Sequence, residues 1–356
     1  MSKYYCELVS HCFKEHSVSR FSAVTDNPHD GRFNQKTGIL LTNLGSPDAP
    51  TPAALRTYLR EFLSDPRIVE IPRLVWMIIL HGIILRIRPK RSAKLYESIW
   101  TENGSPLTHI TRLQRDKLNA LLQEQGYTNT EVVMAMRYGN PSIEAGLEEL
   151  RDKGLTRIIV LPLYPQYSSP TTGSTFDAVS RVLQKWRWVP ELHFVNGYHK
   201  NTAYIDSLAS SISEDLEKNG MPQKLVFSYH GMPKLFLDRG DPYHCLCLQT
   251  TRLVVEKLGL DKDKVISTFQ SRFGKAEWLK PYTDATLALL PDENITDVAI
   301  LSPAFSADCL ETLEELEEEN REIFENAGGE KYRYIAALND RDDHINALYD
   351  VLKPML

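Results

Sequence analysis

Residues 224–248 read KLVFSYHGMPKLFLDRGDPYHCLCL, and this stretch gives the clearest indication of both the fold and the site. It opens with 225–228, an apolar run with β-branched and aromatic residues that is typical of a buried strand. His230 follows at the strand's exit, where Gly231 and Pro233 end the extended segment. Ligands of open α/β sheets bind beyond the carboxyl ends of the strands, and imidazole binds metals or moves protons near neutral pH. The stretch predicts a site containing His230; the alternative is a structural histidine that caps a loop.

Composition excludes several classes of protein. A length of 356 residues suggests about two domains, and the net charge of −6 argues against a general nucleic-acid binder. The five cysteines are scattered and odd in number, which favours a reducing, cytoplasmic compartment over a disulfide framework. Residues 1–36 lack the apolar core of a signal peptide, so they are interpreted as an N-terminal extension.

Apolar runs alternate with helical segments along the remaining chain. Strands are predicted at 38–44, 131–136, 157–163, 192–196, 265–270 and 297–302, beside the run at 225–228. The near-continuous run RIIVLPL (157–163) is typical of a parallel strand covered on both faces. The pattern predicts two doubly wound α/β lobes with parallel sheets that face a central cleft. We expect an N-terminal lobe at 37–190, a C-terminal lobe at 191–325 and a segment at 326–356 that packs back on the lobes.

The most apolar window is 74–87, LVWMIILHGIILRI, which is shorter than the about 20 residues of a membrane span. Basic residues surround it: Arg73, Arg86, Arg88, Lys90, Arg91 and Lys94. One interpretation is a buried core helix. The other is an exposed apolar lip with a basic margin, suited to a membrane surface or to a hydrophobic ligand with acidic groups.

A second polar cluster follows the strand at 297–302. Glu311, Glu315 and Glu319 recur every four residues and therefore fall along one helical stripe, where like charges repel each other mildly. Such a run is often only a solvated helix face. A cation would relieve the repulsion, and carboxylates ending beside a histidine suit Fe(II) or Zn(II).

Six stretches, in this order along the chain, resemble the ferrochelatases of the bacterial type. They are 42–47 (TNLGSP), 137–138 (RY), 163–174 (LYPQYSSPTTGS), 227–243 (FSYHGMPKLFLDRGDPY), 269–281 (FQSRFGKAEWLKP) and 306–311 (SADCLE). The resemblance implies two similar Rossmann-like lobes with a porphyrin between them. It also implies an enzyme that inserts Fe(II) into protoporphyrin IX to form protohaem, the final step of haem biosynthesis.

The resemblance assigns roles residue by residue. His230 and Glu311 correspond to the catalytic histidine and the carboxylate that faces it. Asp308, Glu315 and Glu319 fall on the family's acidic metal path, which begins at that pair. Arg137 and Tyr138 correspond to a pair on the opposite side of the macrocycle. The other implied porphyrin contacts are Arg91, Lys94 and Ser271 at the propionates, Leu44, Tyr243 and Trp278 in the pocket wall, and Ser105.

The chain departs from the family pattern at two positions. Cys309 stands where many relatives have a second histidine, and Ser169 stands where animal members have a cysteine that binds a [2Fe–2S] cluster. We therefore expect no such cluster and no required cofactor, with Fe(II) as substrate. Cys245 and Cys247, with Cys6 or Cys12, could form another metal site; the alternative is unconnected thiols.

The expected partners are protoporphyrin IX and ferrous iron, with no nucleic acid. Residues 74–87 are expected to contact the inner face of the membrane peripherally, beside an upstream protoporphyrinogen-oxidising enzyme. Two alternatives stay open: a coproporphyrin III ferrochelatase, and a non-catalytic tetrapyrrole or metal carrier. The carrier would need a pocket but no pair of bases.

Overall fold

The computed structural model describes residues 36–274 and 276–356, and its framework is two four-stranded parallel sheets. The first sheet contains β1 (Thr37–Asn43), β2 (Thr130–Met136), β3 (Arg157–Pro162) and β4 (Glu191–Phe194) in the order β2-β1-β3-β4. The second contains β5 (Lys224–His230), β6 (Val265–Gln270), β7 (Asp297–Leu301) and β8 (Lys331–Tyr334) in the order β6-β5-β7-β8. The two orders are the same topology repeated, so the predicted α/β fold with two similar lobes is confirmed.

Helices flank both sheets. They are α1 (Pro52–Leu63), α2 (Arg73–Ile79), α3 (Leu85–Ile99), α4 (Pro106–Glu124), α5 (Ile143–Asp152), α6 (Ser174–Leu183), α7 (Thr202–Asn219), α8 (Lys234–Asp238), α9 (Tyr243–Leu258), α10 (Thr283–Leu289), α11 (Asn320–Asn326) and α12 (Asp342–Leu352). π-Helical segments lie at Leu80–Ile84, Ser169–Gly173 and Glu311–Glu319, and 3₁₀ turns at Lys262–Lys264, Leu290–Glu293 and Lys353–Met355.

Local sequence signals explain where these elements begin. Thr51 accepts a hydrogen bond from the Ala54 amide, and Pro52 occupies the first position of α1, as its sequence predicts. The central strands β1 and β5 are buried along most of their length, which explains their continuous apolar sequences.

Strand pairing carries both sheets across the domain limits expected from the sequence. β4 pairs with β3, so the first lobe continues past residue 190 to at least Phe194. β8 pairs with β7, so the segment 326–356 supplies the edge strand of the second sheet. The rest of that segment does pack back on the lobes, since α12 contacts α4 and α7. The predicted extension lies outside the described residues, apart from Lys36 at its end.

The segment 74–87 satisfies both sequence interpretations, one on each face. Trp76, Leu80 and Leu85 are buried in a cluster with Tyr58 and other side chains of the first lobe. On the opposite face, a row of large apolar side chains is exposed to solvent: Leu74 (83%), Val75 (52%), Ile78 (74%), Ile83 (53%) and Ile87 (68%). Across residues 36–274 and 276–356, we find no helix whose length and apolar character would let it cross a bilayer.

Candidate active site

His230 is the last residue of β5 and lies beside Gln270, the last residue of β6. Its Nδ1 lies 2.7 Å from the carbonyl oxygen of Gly231. Since a carbonyl only accepts, Nδ1 carries the hydrogen, and Nε2 keeps the lone pair for a proton or a metal. The ring is half-buried, with the Phe305 ring centroid 6.2 Å away. The imidazole is therefore held at the carboxyl edge of the sheet in one tautomer.

Gln270 connects this edge to the acidic helix, and the sequence analysis missed it. The side chain is buried, and its Oε1 accepts a hydrogen bond from the Ser228 hydroxyl at 2.9 Å. Its Nε2 donates to the Glu311 carbonyl oxygen at 2.8 Å and to the Glu315 carboxylate at 3.4 Å. This one amide thus contacts both Glu311 and Glu315, and it belongs to the residue that lies beside His230 in the sheet. The sequence could have indicated Gln270 because it ends the predicted strand at 265–270, just as His230 follows the predicted strand at 225–228.

The acidic stretch Glu311–Glu319 is a π-helix. In this form the hydrogen bonds reach five residues along the chain, and the wider turn is frequent at functional sites. Side chains four residues apart stay near one face, so the stripe of Glu311, Glu315 and Glu319 persists. Leu310 and Leu313 pack against α1 and α3 of the first lobe, which brings the start of this helix to the junction of the lobes.

Glu315 is held by Ser271, the residue that follows Gln270. Its carboxylate accepts hydrogen bonds from the Ser271 amide at 2.6 Å and the Ser271 hydroxyl at 2.5 Å. Ser271 adopts a left-handed backbone with φ of 61°, unusual for serine. Burial raises the pKa of Glu315, while the Ser271 hydrogen bonds and nearby His230 oppose the rise. The hydroxyl assigned by resemblance to a propionate is here bonded to Glu315.

Glu314 belongs to the same helix and was not singled out from the sequence. Burial, followed by the charges of Glu319, Glu315 and Glu318, raises its pKa to about 7, and Arg91 opposes this. Burial and the neighbouring carboxylates both disfavour the ionised form of Glu314. A cation beside this helix would relieve the repulsion between the carboxylates.

Asp308 lies just before the acidic helix, and its carboxylate is fully hydrogen-bonded. One oxygen accepts from Tyr334 at 2.7 Å and Thr312 at 3.0 Å, and the other accepts from Asn339 at 2.7 Å. In this arrangement Asp308 holds the loop that leads into the acidic helix. Burial, followed by the charge of Glu311, raises the pKa of the neighbouring Cys309 thiol, which favours its protonated form.

Arg137 and Tyr138 follow β2, the strand of the first lobe that corresponds to β6. Arg137 donates to Asp65 at 2.5 Å and to the Ser174 hydroxyl at 2.6 Å, and the Tyr138 hydroxyl donates to Asp65 at 2.8 Å. Burial alone would raise the pKa of Asp65, but hydrogen bonds from Ser174, the Arg67 amide and Tyr138, with the charge of Arg137, hold it below its usual range. Asp65 and Ser174 were missed because they stand far away in sequence.

Two of the proposed pocket residues lie against the His230 edge. Trp278 bridges to Pro233, and its indole Nε1 is buried with no hydrogen-bond partner among the described residues. A Cβ on Gly231 would lie 2.5 Å from the Gln270 carbonyl and 3.2 Å from the Trp278 ring, so only glycine fits there. Leu44 packs in one apolar cluster with Phe305 from the other lobe.

The other proposed porphyrin contacts are spread around this centre. Arg91 and Lys94 are exposed on α3, and Arg91 lies close enough to Glu314 to affect its pKa. Ser105 is buried and donates to the Ser46 hydroxyl at 2.7 Å. Tyr243 is buried at the first position of α9. Short hydrogen bonds join Gln270 and Ser271 to Glu311 and Glu315, strand pairing sets His230 beside Gln270, and a backbone bridge sets Trp278 beside Pro233. The remaining residues are connected to this centre only through the intervening fold.

A second metal site at the other cysteines gains no support. Cys245 is exposed and Cys247 is buried in the first turn of α9, so their thiols point to different sides of the helix. Cys6 and Cys12 lie outside the described residues. Among residues 36–274 and 276–356, no three His, Cys, Asp or Glu side chains already form a metal-binding group.

Comparison with known proteins identifies relatives. The family model for ferrochelatase matches residues 36–356. The chain is 59% identical over 321 residues to a protein named ferrochelatase 2 of Shewanella oneidensis, covering 90% of this chain and 98% of that one. It is 57% identical over 331 residues to a ferrochelatase of Shewanella denitrificans, with the same coverage. Among solved structures, SirB from Bacillus subtilis with Fe³⁺ aligns with a TM-score of 0.51 at 14% identity, over 90% of this chain and 95% of that chain. That likeness supports the fold alone.

Replacing Asp65 by Asn should destabilise the protein by about 3 kcal/mol, because a buried Arg137 loses its counter-charge. Asp65 and Arg137 are 5% and 10% exposed. Urea unfolding measures the change. The matched control is Asp177→Asn, whose ion pair with Arg67 is about one-third exposed and should contribute less than about 1 kcal/mol. Equal losses in the two variants would contradict the buried network.

Replacing Glu314 by Gln should stabilise the protein more at about pH 8 than at about pH 5. The folded chain keeps this proton up to about pH 7, whereas an unfolded glutamate releases it near about pH 4.3. Between these values the folded state binds more protons, so stability falls as pH rises. Thermal unfolding at both pH values measures the difference. Glu322→Gln, at an exposed position on α11, is the control and should shift both melting temperatures equally. A pH-independent gain at Glu314 would count against the raised pKa.

Proposed function

The chain belongs to the ferrochelatase family, and we propose that its porphyrin substrate is protoporphyrin IX and that His230 and Glu311 carry out the chemistry. As a member of this family, it is an enzyme that inserts ferrous iron into a porphyrin for haem synthesis. The observation that most strongly supports the catalytic assignment is the Gln270 amide, which ties the strand edge carrying His230 to the start of the acidic helix.

Metal insertion requires two exchanges. Two pyrrole N–H protons leave the macrocycle as Fe(II) enters, and the iron loses bound waters, so the products are haem and two protons. Two proton acceptors near the ring satisfy this balance. His230 offers the Nε2 lone pair, because its Nδ1 hydrogen is engaged by the Gly231 carbonyl. Glu311 offers the second acceptor, and either group can also hold the arriving metal.

Glu315 and Glu319 extend the carboxylate stripe away from Glu311 and form the proposed metal path. Burial is the main cause of the raised pKa values of Glu314 and Glu315, and neighbouring carboxylates add to it. The second contribution supports the path, since a cation would relieve that repulsion. Asp308 holds the loop that leads into this path, through the hydrogen bonds that it accepts from Tyr334 and Asn339. On the other lobe, Arg137 and Tyr138 flank the opposite side of the proposed cleft.

Protoporphyrin has two propionates and an otherwise apolar rim. Arg91 and Lys94 on α3 supply cations for the propionates, and a guanidinium can bind a carboxylate with two parallel hydrogen bonds. Leu44, Tyr243 and Trp278 supply apolar walls. Ser105 and Ser271 complete the proposed lining, although their hydroxyl groups donate to Ser46 and Glu315 in the porphyrin-free fold. The exposed apolar side chains of the lip favour the more hydrophobic protoporphyrin over coproporphyrin III.

We propose that Fe(II) is the substrate metal and that the chain needs no [2Fe–2S] cluster of the animal type. The position of the cluster cysteine is held by Ser169. Its hydroxyl accepts a hydrogen bond from Arg67 at 2.9 Å, and its amide donates to Asp241 at 2.7 Å. These contacts give Ser169 a role within this fold that involves no metal.

The lip supports a proposed peripheral contact with the inner face of the cytoplasmic membrane. Its outer face is apolar, and Arg86, Lys90 and Lys94 are exposed close by in sequence. Anionic lipid headgroups attract such cations, and the apolar side chains can enter the boundary of the acyl chains. Protoporphyrin taken directly from the bilayer, where an upstream protoporphyrinogen-oxidising enzyme could release it, avoids a poorly soluble free species.

Anaerobic turnover with Fe(II) and protoporphyrin IX or coproporphyrin III, side by side, tests the proposal. Wild type should form haem over many turnovers and prefer protoporphyrin. His230→Ala should lower kcat about 10²–10⁴-fold and Glu311→Gln should lose most activity, because each removes a proton acceptor. Porphyrin binding by fluorescence should persist in both variants, and His244→Ala, on a half-buried histidine of α9, is the control.

Three results would count against this function. A His230→Ala variant that keeps more than about a tenth of the wild-type rate would remove the central assignment. Faster turnover with coproporphyrin III than with protoporphyrin IX would mean that coproporphyrin III is the substrate. Stoichiometric porphyrin binding without turnover would favour a carrier.

Replacing both Leu74 and Ile78 by Glu should weaken binding to anionic liposomes and raise the KM for protoporphyrin. These side chains are among the most exposed apolar groups of the lip, so the melting temperature should change little. Their burial in a membrane could contribute several kcal/mol at about 25 cal/mol per Å². The control is Met221→Glu with Leu289→Glu, two exposed apolar residues of the second lobe. Equal liposome binding by wild type and the lip variant would exclude the proposed membrane contact.

A further inference from the structure

The turn between β8 and α12 carries a residue in an unusual backbone conformation. Asn339 has φ of 49°, in the left-handed region that few residues other than glycine and asparagine adopt readily. The turn lies between the end of the second sheet and the last long helix. Neither the sequence motifs nor the family resemblance drew attention to it.

The Asn339 side chain forms a reciprocal pair with Asp308. Its Oδ1 accepts a hydrogen bond from the Asp308 amide at 2.8 Å, and its Nδ2 donates to the Asp308 carboxylate at 2.7 Å. The other carboxylate oxygen accepts from Tyr334 and Thr312. Thr312 follows Glu311 directly, so the Asp308 carboxylate binds the first turn of the acidic helix.

The Asn339 backbone ties the same point to the rest of the molecule. Its carbonyl oxygen accepts from Gln114 Nε2 at 2.9 Å and from His344 Nδ1 at 2.7 Å. Gln114 lies on α4 of the first lobe and also donates to the Ser306 carbonyl at 2.8 Å. Burial lowers the pKa of His344 to about 4, so this histidine is neutral at physiological pH and donates a single hydrogen here. Three elements from both lobes therefore meet at Asn339.

We propose that Asn339 is a positioning residue for metal insertion, which acts through Asp308 to set the first turn of the acidic helix and thereby the place of Glu311. The inference rests on the proposed function of Glu311. Without the side-chain clamp, the loop at 306–310 loses two of the hydrogen bonds that define its path. Glu311 then meets the porphyrin over a wider range of positions, and the insertion step slows while porphyrin binding continues.

Asn339→Gly tests the clamp with little disturbance of the backbone. Glycine adopts the left-handed conformation without strain, and the carbonyl can keep its bonds to Gln114 and His344. We expect kcat for Fe(II) insertion to fall about 10-fold, with KM and Kd for protoporphyrin within about two-fold of wild type. The matched control is Asn294→Gly, an exposed asparagine with φ of 63° in the second lobe. This control makes the same asparagine-to-glycine change at a left-handed position, and we expect it to leave kcat unchanged.

An unchanged kcat in folded Asn339→Gly would overturn the inference, as would equal losses in the two glycine variants. If Asn339→Gly does not fold, Tyr334→Phe decides, because it removes one hydrogen bond to the same carboxylate. A lower kcat with an unchanged Kd supports the inference, and an unchanged kcat overturns it. Wild-type turnover is measured in the same experiment, so an inactive wild type would refute the proposed function itself.

Discussion

The site depends on the hydrogen bonds of one buried amide, that of Gln270. Parallel strands end at a common edge, and β5 and β6 are in register there, which sets His230 beside Gln270. The Gln270 side chain then spans the gap to the acidic helix, where it bonds the Glu311 backbone and reaches the Glu315 carboxylate. A buried amide left without partners is costly, so this contact fixes the start of the acidic helix against the strand edge that carries His230. The strand edge and the helix behave as one unit because of it.

Because the two sheets have the same topology, the equivalent edges of the two lobes can be compared. At the edge of the first lobe, Asp65, Arg137, Tyr138 and Ser174 satisfy one another through short hydrogen bonds and an internal ion pair. At the same edge of the second lobe, burial raises the pKa of Glu314 and of Glu315, and the opposing effects of Arg91 on the first and of Ser271 and His230 on the second do not cancel the rise. A π-helix follows the third strand in each lobe, at Ser169–Gly173 and Glu311–Glu319. The same framework thus supports one edge whose charges are paired internally and one where burial and neighbouring carboxylates raise the pKa values of carboxyl groups.

Much of this arrangement could be predicted from the sequence. The continuous apolar strands and the residues at their ends indicated a parallel α/β fold and a site at His230, since strand period and turn residues are local signals. The short edge strand β4 was assigned to the second lobe and β8 was not predicted as a strand, because four residues with mixed exposure carry little pattern. The π-helix could not be distinguished, since a spacing of four residues suits it and an α-helix alike. Gln270, Asp65 and Asn339 were missed because their partners lie 41, 72 and 31 residues away, and only the fold brings them together.

The central claim is that a porphyrin lies between the lobes with one face against the edge that carries His230 and Glu311. A crystal structure of the protein with metal-free protoporphyrin IX tests it most directly. The account predicts a macrocycle between α3 and the β5–β6 edge, with His230 Nε2 facing the pyrrole nitrogens and the propionates near Arg91 and Lys94. A macrocycle bound elsewhere, or one whose centre is out of reach of both His230 and Glu311, would contradict it.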